Sequence, residues 1–211
     1  MSRPARGLTA KGAATRARIV DAAASLMFER GVAGTSLDEV LAASGTGRSQ
    51  LYHYFADKDQ LVMAVIRRQT ERVLSAQDPY LHQADSMEGL SRCCDAIIDL
   101  QKQHDGFGGC PLGSLASELA DSDDETRLLL QHSFQTWQDH LSDGLRTMQT
   151  RGELRPDAVP DDLAAALLAA VQGGLLLAQT THSTHHLELS LAMALAHVAS
   201  YQHASDENLN R

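Results

Sequence analysis

Apolar residues recur at spacings of three and four along almost the whole chain. No stretch keeps the alternation of a strand, so the pattern predicts helices throughout. Residues 1–13 form a polar arm. Ile19, Ala22, Ala23 and Leu26 mark one face of a first helix over Ala14 to Arg30, which Gly31 ends. Ser36 followed by Glu39 is a capping-box opening for a short helix with Leu37, Val40 and Leu41 inward, and Gly45 stops it. A third, very short helix covers Arg48 to Phe55. Asp57 and Gln60 repeat the capping pattern ahead of a longer helix, Lys58 to about Ala76, built on Leu61, Val65 and Ile66. Pro79 is expected to break the chain there.

The rest continues in the same period. A helix is predicted near Ser86–Gln103, then a Gly-rich break at Gly106, Gly108 and Gly109. Pro111 suits the first position of a short helix over Leu112–Ala120. Asp123, Asp124 and Glu125 suit the N-terminus of a long helix carrying Phe134, Trp137, Leu141, Leu145 and Met148, closed by Gly152. Pro160, Asp161 and Asp162 open an Ala/Leu helix reaching Thr180. Ser183 or Thr184 caps a last helix with Leu187, Leu191, Leu195 and Val198, and Asp206–Arg211 is a polar tail.

Composition narrows the class. With 211 residues, 43% hydrophobic and 21% charged, the chain can bury a core and is neither disordered nor collagen-like. Three cysteines, two of them adjacent (Cys93, Cys94), cannot staple a fold this size and suit reduced thiols. The richest apolar stretch, Leu163 to Ala178, is broken by Gln172 and two glycines, so no membrane span is expected. No apolar region follows Arg3, Arg6 and Lys11, so no secretory signal is read, and the cytoplasm is the default location.

The net charge of −9 argues against nucleic acid, but the average hides an asymmetry. Residues 1–72 hold 11 Lys and Arg against 7 Asp and Glu; the remainder holds 7 against 20. A basic head on an acidic body suggests that only the head meets a polyanion.

Within that head, residues 36–55 have the spacing of a helix-turn-helix. Arg48, Ser49, Gln50, Tyr52, His53 and Tyr54 put long polar and aromatic groups on the second helix, where a recognition helix meets base edges. Arg48 suits guanine O6 and N7, and Gln50 suits adenine. Tyr52, His53 and Tyr54 can meet phosphate, sugar or thymine methyl groups. Lys58, beside a helix N-terminus, can hold a phosphate. Leu51 and Phe55 read as core.

Residues 15–66 resemble the DNA-binding head of TetR-type transcriptional regulators through R-x-x-I-V-x-A-A, F-x-x-x-G-x-x-x-T-S and L-Y-H-Y-F-x-x-K-x-x-L. The resemblance implies an all-α protein: an N-terminal three-helix helix-turn-helix head on a larger helical ligand-binding and dimerisation body. Residues 1–57 would be the arm and DNA-binding domain, and 58–211 the body. It implies a homodimeric repressor that binds a palindromic operator and is released by a small hydrophobic or aromatic effector. Thr35 or Ser36, Arg48, Ser49, Gln50, Tyr52, His53 and Lys58 stand at its DNA-contact positions. Two places depart from the family pattern. Thr46-Gly47 stand where an apolar residue and Ser are frequent, leaving Thr46 or Gly47 as cap, and Ser49 replaces a frequent Gly.

For the body, the two apolar helices at the chain end are hard to cover within one subunit, and the family pairs them with their copies. Ala164–Ala166, Ala169, Ala170, Gly173 and Gly174 allow close approach. An effector site calls for an apolar cavity with a few polar groups. The candidates are Phe107, Cys110, Leu115, Phe134, Trp137, Gln138, Leu141, Gln172 and Leu176. Gln172, among apolar neighbours, fits simple packing least. The G-C-P-x-G-x-L-A element at 109–116 resembles one branch of the family, LmrA/YxaF-like, which includes regulators answering to planar aromatics.

Cys110 before Pro111 sits at a helix N-cap, which favours thiolate, so a redox- or electrophile-sensing regulator is the alternative to a buried small hydrophobe. His182, His185 and His186 have spacings that suit a metal, but a solvated turn accounts for them, and neither metal nor cofactor is expected. A small helical enzyme is the remaining class; no phosphate loop, H-E-x-x-H or nucleophile elbow supports it.

Overall fold

Short polar side chains set where the helices begin. In the computed structural model, which describes residues 9–104 and 108–203, the Thr9 hydroxyl accepts the Gly12 N–H at 3.2 Å and opens α1 (Ala10–Arg30). That cap starts the helix four residues ahead of the apolar pattern and takes in part of the expected arm; residues 1–8 lie outside the described residues. At α2 (Leu37–Ser44) the capping box is complete: Glu39 N–H donates to Ser36 Oγ at 3.3 Å, and Ser36 N–H donates to Glu39 Oε2 at 2.9 Å. Gly45 closes it at φ 64°, ψ 32°, a left-handed conformation that a Cβ disfavours. α3 (Arg48–Tyr54) and α4 (Lys58–Leu81) follow. Asp57 accepts the Gln60 N–H at 2.8 Å ahead of α4.

Pro79 does not break the chain where the sequence suggested. It lies inside the last turn of α4, where its missing N–H removes a single helical bond, and the helix ends two residues later in a turn at 82–84. Five further helices complete the described residues: α5 (Met87–Gln103), α6 (Pro111–Leu119), α7 (Asp124–Thr150), α8 (Pro160–Thr181) and α9 (His185–Ala199). Outside the helices, one isolated antiparallel bridge joins Leu154 and Gln202. The tail at 206–211 lies outside the described residues.

The chain divides into two compact units. One is the described part of Met1–Glu71 with Ser114–Leu130; the other is Arg72–Gly113 with the described part of Gln131–Arg211. The expected boundary at 57/58 therefore falls inside the first unit. The reason is packing: Leu61, Val65 and Ile66 of α4 are fully buried in one core with Ile19, Ala23, Val40, Leu51 and Phe55. Leu115 and Leu130 join that core from far along the chain. In the second unit the core gathers Leu90, Leu112, Leu145, Met148, Leu154, Leu187 and Leu191. There α8 lies tightly on α9, since a Cβ at Gly174 would fall 2.9 Å from the Leu187 Cα. Ser190 Oγ also donates to the Ala170 carbonyl at 3.0 Å.

By length and mean hydropathy α8 could cross a membrane. Its buried face, from Leu163 through Leu167 and Val171 to Ala178, belongs to the second unit's core, as expected of a core helix.

Candidate nucleic-acid interface and ligand cavity

The seven residues of α3 divide by face. Leu51 is fully buried, and Phe55, which caps the helix end, is 2% exposed. Arg48, Ser49, Gln50, Tyr52 and His53 are all exposed, and Tyr52 keeps 48% of its surface. Leu51 thus pins the helix to the first unit's core while its polar face looks outward. Gly47 is the N-cap, and its N–H donates to Gln50 Oε1 at 3.1 Å. Thr46 is buried and shares a 2.7 Å hydrogen bond with Ser44, which settles the choice of cap in favour of Gly47.

Each candidate contact has a distinct local state. Arg48 forms an ion pair and hydrogen bond with Asp38 of α2, both side chains well exposed. Ser36 is exposed, while its hydroxyl donates to Glu39 Oε2 at 2.7 Å. Ser36, through its backbone N–H first and its hydroxyl second, holds the Glu39 carboxyl below the usual carboxylate range, with Arg30 adding a 2.9 Å ion pair. Thr35 corrects the sequence reading: it is 2% exposed, and its hydroxyl donates to the Gly31 carbonyl at 2.8 Å, so its side chain has no surface to offer.

Lys58 is half-buried, and its Nζ donates to the Val32 carbonyl at 2.6 Å. The N–H groups of Val32 and Ala33 each donate to the Glu118 carboxylate at 2.7 Å. The turn after α1 is therefore held by α4 on one side and α6 on the other, all within the first unit.

The second unit contains a cavity of about 340 Å³, near the lower end of small-molecule sites. Its walls come from α4, α5, the segment ahead of α6, α7 and α8, with Val73, Tyr80, Ile97, Cys110, Trp137 and Leu175 among them. Of the eight sequence candidates among the described residues, Cys110 and Trp137 line it. Leu141 is buried in the second unit's core, and Phe134 packs against that core. Gln138 donates to the Asp161 carbonyl at 3.3 Å. Leu115 lies in the first unit's core, because α6 changes unit at Gly113. Leu176 is 63% exposed, one residue round the helix from the lining Leu175. Phe107 lies outside the described residues. Gln172 lies beside Cys110, and its Nε2 is buried without a hydrogen-bond partner.

Sequence reasoning missed Gln101. It is 5% exposed, lines the cavity, and its Oε1 is buried without a partner. A signal was available: Gln101 continues the buried stripe of α5 through Leu90, Cys94 and Ile97, where a leucine would be expected.

Burial decides the chemistry of Cys110. Desolvation pushes its thiol up, against hydrogen bonds from the Gly113 and Leu112 backbone that favour thiolate. Burial likewise raises Cys93 to about 11 and Cys94 to about 12. The helix N-terminus does not overcome desolvation here, so Cys110 behaves as a neutral wall of the cavity.

Two family models match the chain: the tetR-family bacterial regulatory protein model over residues 19–65, and the tetracyclin repressor-like C-terminal domain model over 86–194. A curated HTH-type transcriptional regulator of Lactococcus lactis is 29% identical over 82% of this chain and 88% of its own length. The HTH-type transcriptional repressor DhaR of a Mycobacterium species is 24% identical over 92% and 97%. A TetR transcriptional regulator from Chloroflexus aurantiacus superposes with a TM-score of 0.80 at 25% identity, covering 93% of this chain and all of that one.

Proposed function

The chain belongs to the TetR family of transcriptional regulators, which are not enzymes, and from that premise we propose that it is a repressor acting as a homodimer on a palindromic operator. A small, mainly apolar effector in the second unit's cavity releases it. The observation that carries the reading is the two-faced α3, with Leu51 buried and Arg48, Ser49, Gln50, Tyr52 and His53 exposed. Arg48 and Gln50 read base edges, while Tyr52, His53, Ser36 and Lys58 meet the backbone. Two recognition helices must reach successive major grooves about 34–36 Å apart, and a dimer supplies the pair.

The face for that dimer is supported by α8 and α9. Leu176, Leu177, Leu189 and Met193 are 63%, 46%, 51% and 74% exposed, an apolar stripe that a second copy would cover. Leu176 belongs to this stripe rather than to the effector site. A Leu176→Glu, Met193→Glu double variant is expected to sediment as a monomer.

Release is linkage. The effector favours a conformation whose α3 helices no longer match both half-sites, and DNA weakens effector binding by the same factor. Three helices, α4, α6 and α7, run from one unit into the other and give cavity and head a continuous covalent connection. A role on the chromosome goes with the cytoplasm. The test is selection from a random duplex pool. A two-fold symmetric motif should emerge with wild-type protein and lose its preference at one position of each half-site with Arg48→Ala; enrichment of no motif by the wild type would overturn the reading.

A further inference from the structure

We propose that the second unit's cavity selects an uncharged, mainly apolar molecule bearing one hydroxyl or N–H donor, and that this donor bonds Gln101 Oε1. The inference rests on the effector reading above and sharpens it. Gln101 is 5% exposed and its Oε1 has no hydrogen-bond partner, although it lines the cavity. Leaving a buried acceptor unpaired is unfavourable, whereas an apolar side chain of the same size would pack on the α5 stripe without that penalty. A donor on a molecule in the cavity meets that acceptor and turns the penalty into selectivity.

Charge on the wall excludes anions. Among the described lining residues none is Lys or Arg, and the charged one is the exposed Asp99. Lys102, next to Gln101 in sequence, is paired with Glu188 at 2.9 Å. A carboxylate would meet no cation among the described lining residues: besides Gln101 the polar lining groups are the neutral Gln77, Tyr80, Gln103 and Cys110, and Val73, Ile97, Pro111, Trp137 and Leu175 are apolar. A neutral alcohol, phenol or amide keeps its apolar body against those side chains and its donor on Gln101.

Trp137 lines the cavity and is the protein's one tryptophan, so its fluorescence reports occupancy directly. The full-length protein is titrated with menthol, menthone and p-menthane-3-carboxylate, which share a ring and differ in the polar group. Menthol should perturb Trp137 saturably. Menthone, which accepts but cannot donate, should bind about tenfold more weakly, as should the carboxylate at neutral pH. Gln101→Leu should bring menthol and menthone within about twofold of each other. The menthol-to-menthone ratio in wild type needs no variant and stands if Gln101→Leu fails to fold. Equal binding of the two in wild type, tighter menthone, or tighter carboxylate would overturn the Gln101 assignment and leave the effector cavity intact. If no probe reaches Trp137, the effector reading of the cavity falls with it.

Discussion

Glu118 accepts the backbone N–H of Val32 at 2.7 Å across 86 positions of sequence, and its second oxygen takes the N–H of Ala33 at 2.7 Å. A carboxylate on α6 thereby fixes the turn between α1 and α2. Hydrogen bonds to charged groups are worth about 1.5–3 kcal/mol when buried and less near solvent. Glu118→Ala should therefore lower stability in urea by roughly 1–3 kcal/mol. It should also weaken operator binding, because the turn sets α2 against α1. Equal urea midpoints for variant and wild type would contradict this role.

The Arg48–Asp38 pair makes α2 a competitor for the group proposed to read guanine. Exposed pairs of this kind contribute about 1 kcal/mol at most, so duplex DNA can displace Asp38 readily. Asp38→Asn should leave folding unchanged and tighten DNA binding several-fold at low salt, measured by fluorescence anisotropy. Arg48→Ala should cost about 1–3 kcal/mol and relax preference at one base position. Tyr52→Ala should weaken binding without changing that preference.

Lys58 carries two assignments at once. Its Nζ holds the Val32 carbonyl at 2.6 Å, and an ammonium has further donors for a phosphate. Lys58→Met separates the roles. Loss of a phosphate contact reduces the slope of log affinity against log salt by about one, whereas a purely structural loss lowers affinity with the slope intact. We expect the reduced slope.

Much of the fold was legible because capping residues and apolar periodicity agree: Ser36–Glu39, Asp57–Gln60 and Asp123 mark helix starts that the structure keeps. Pro79 misled because a proline near a helix end removes so little. The exposed polar face of α3 was legible, since a seven-residue helix with one buried leucine leaves few places for its polar groups. Thr35 was not, because neither periodicity nor a motif reveals that its hydroxyl closes on Gly31. The cavity was hardest. Its walls come from five separate stretches, and adjacent residues such as Leu175 and Leu176 differ only in which way the helix turns them.

Thiol reactivity distinguishes a packed Cys110 from a sensing one. Burial holds Cys110 above its ordinary value, with Cys93 at about 11 and Cys94 at about 12. Ellman's reagent at about pH 8 should find no fast-reacting thiol in the folded protein and three in denaturant. The sign for stability follows. Below the unfolded value of 9.0 both states are protonated; above it the unfolded chain releases protons that folded Cys93 and Cys94 retain. These two thiols therefore lower stability progressively from about pH 9 to 12. One fast thiol, absent in Cys110→Ser, would restore the sensing alternative.

The most direct measurement is a hydroxyl-radical footprint on the duplex that the protein itself selects, with and without a molecule that occupies the Trp137 cavity. Two protected patches on one face, a helical turn apart and both erased when the cavity fills, are the predicted result. A single asymmetric patch, or protection indifferent to the cavity, would contradict the account.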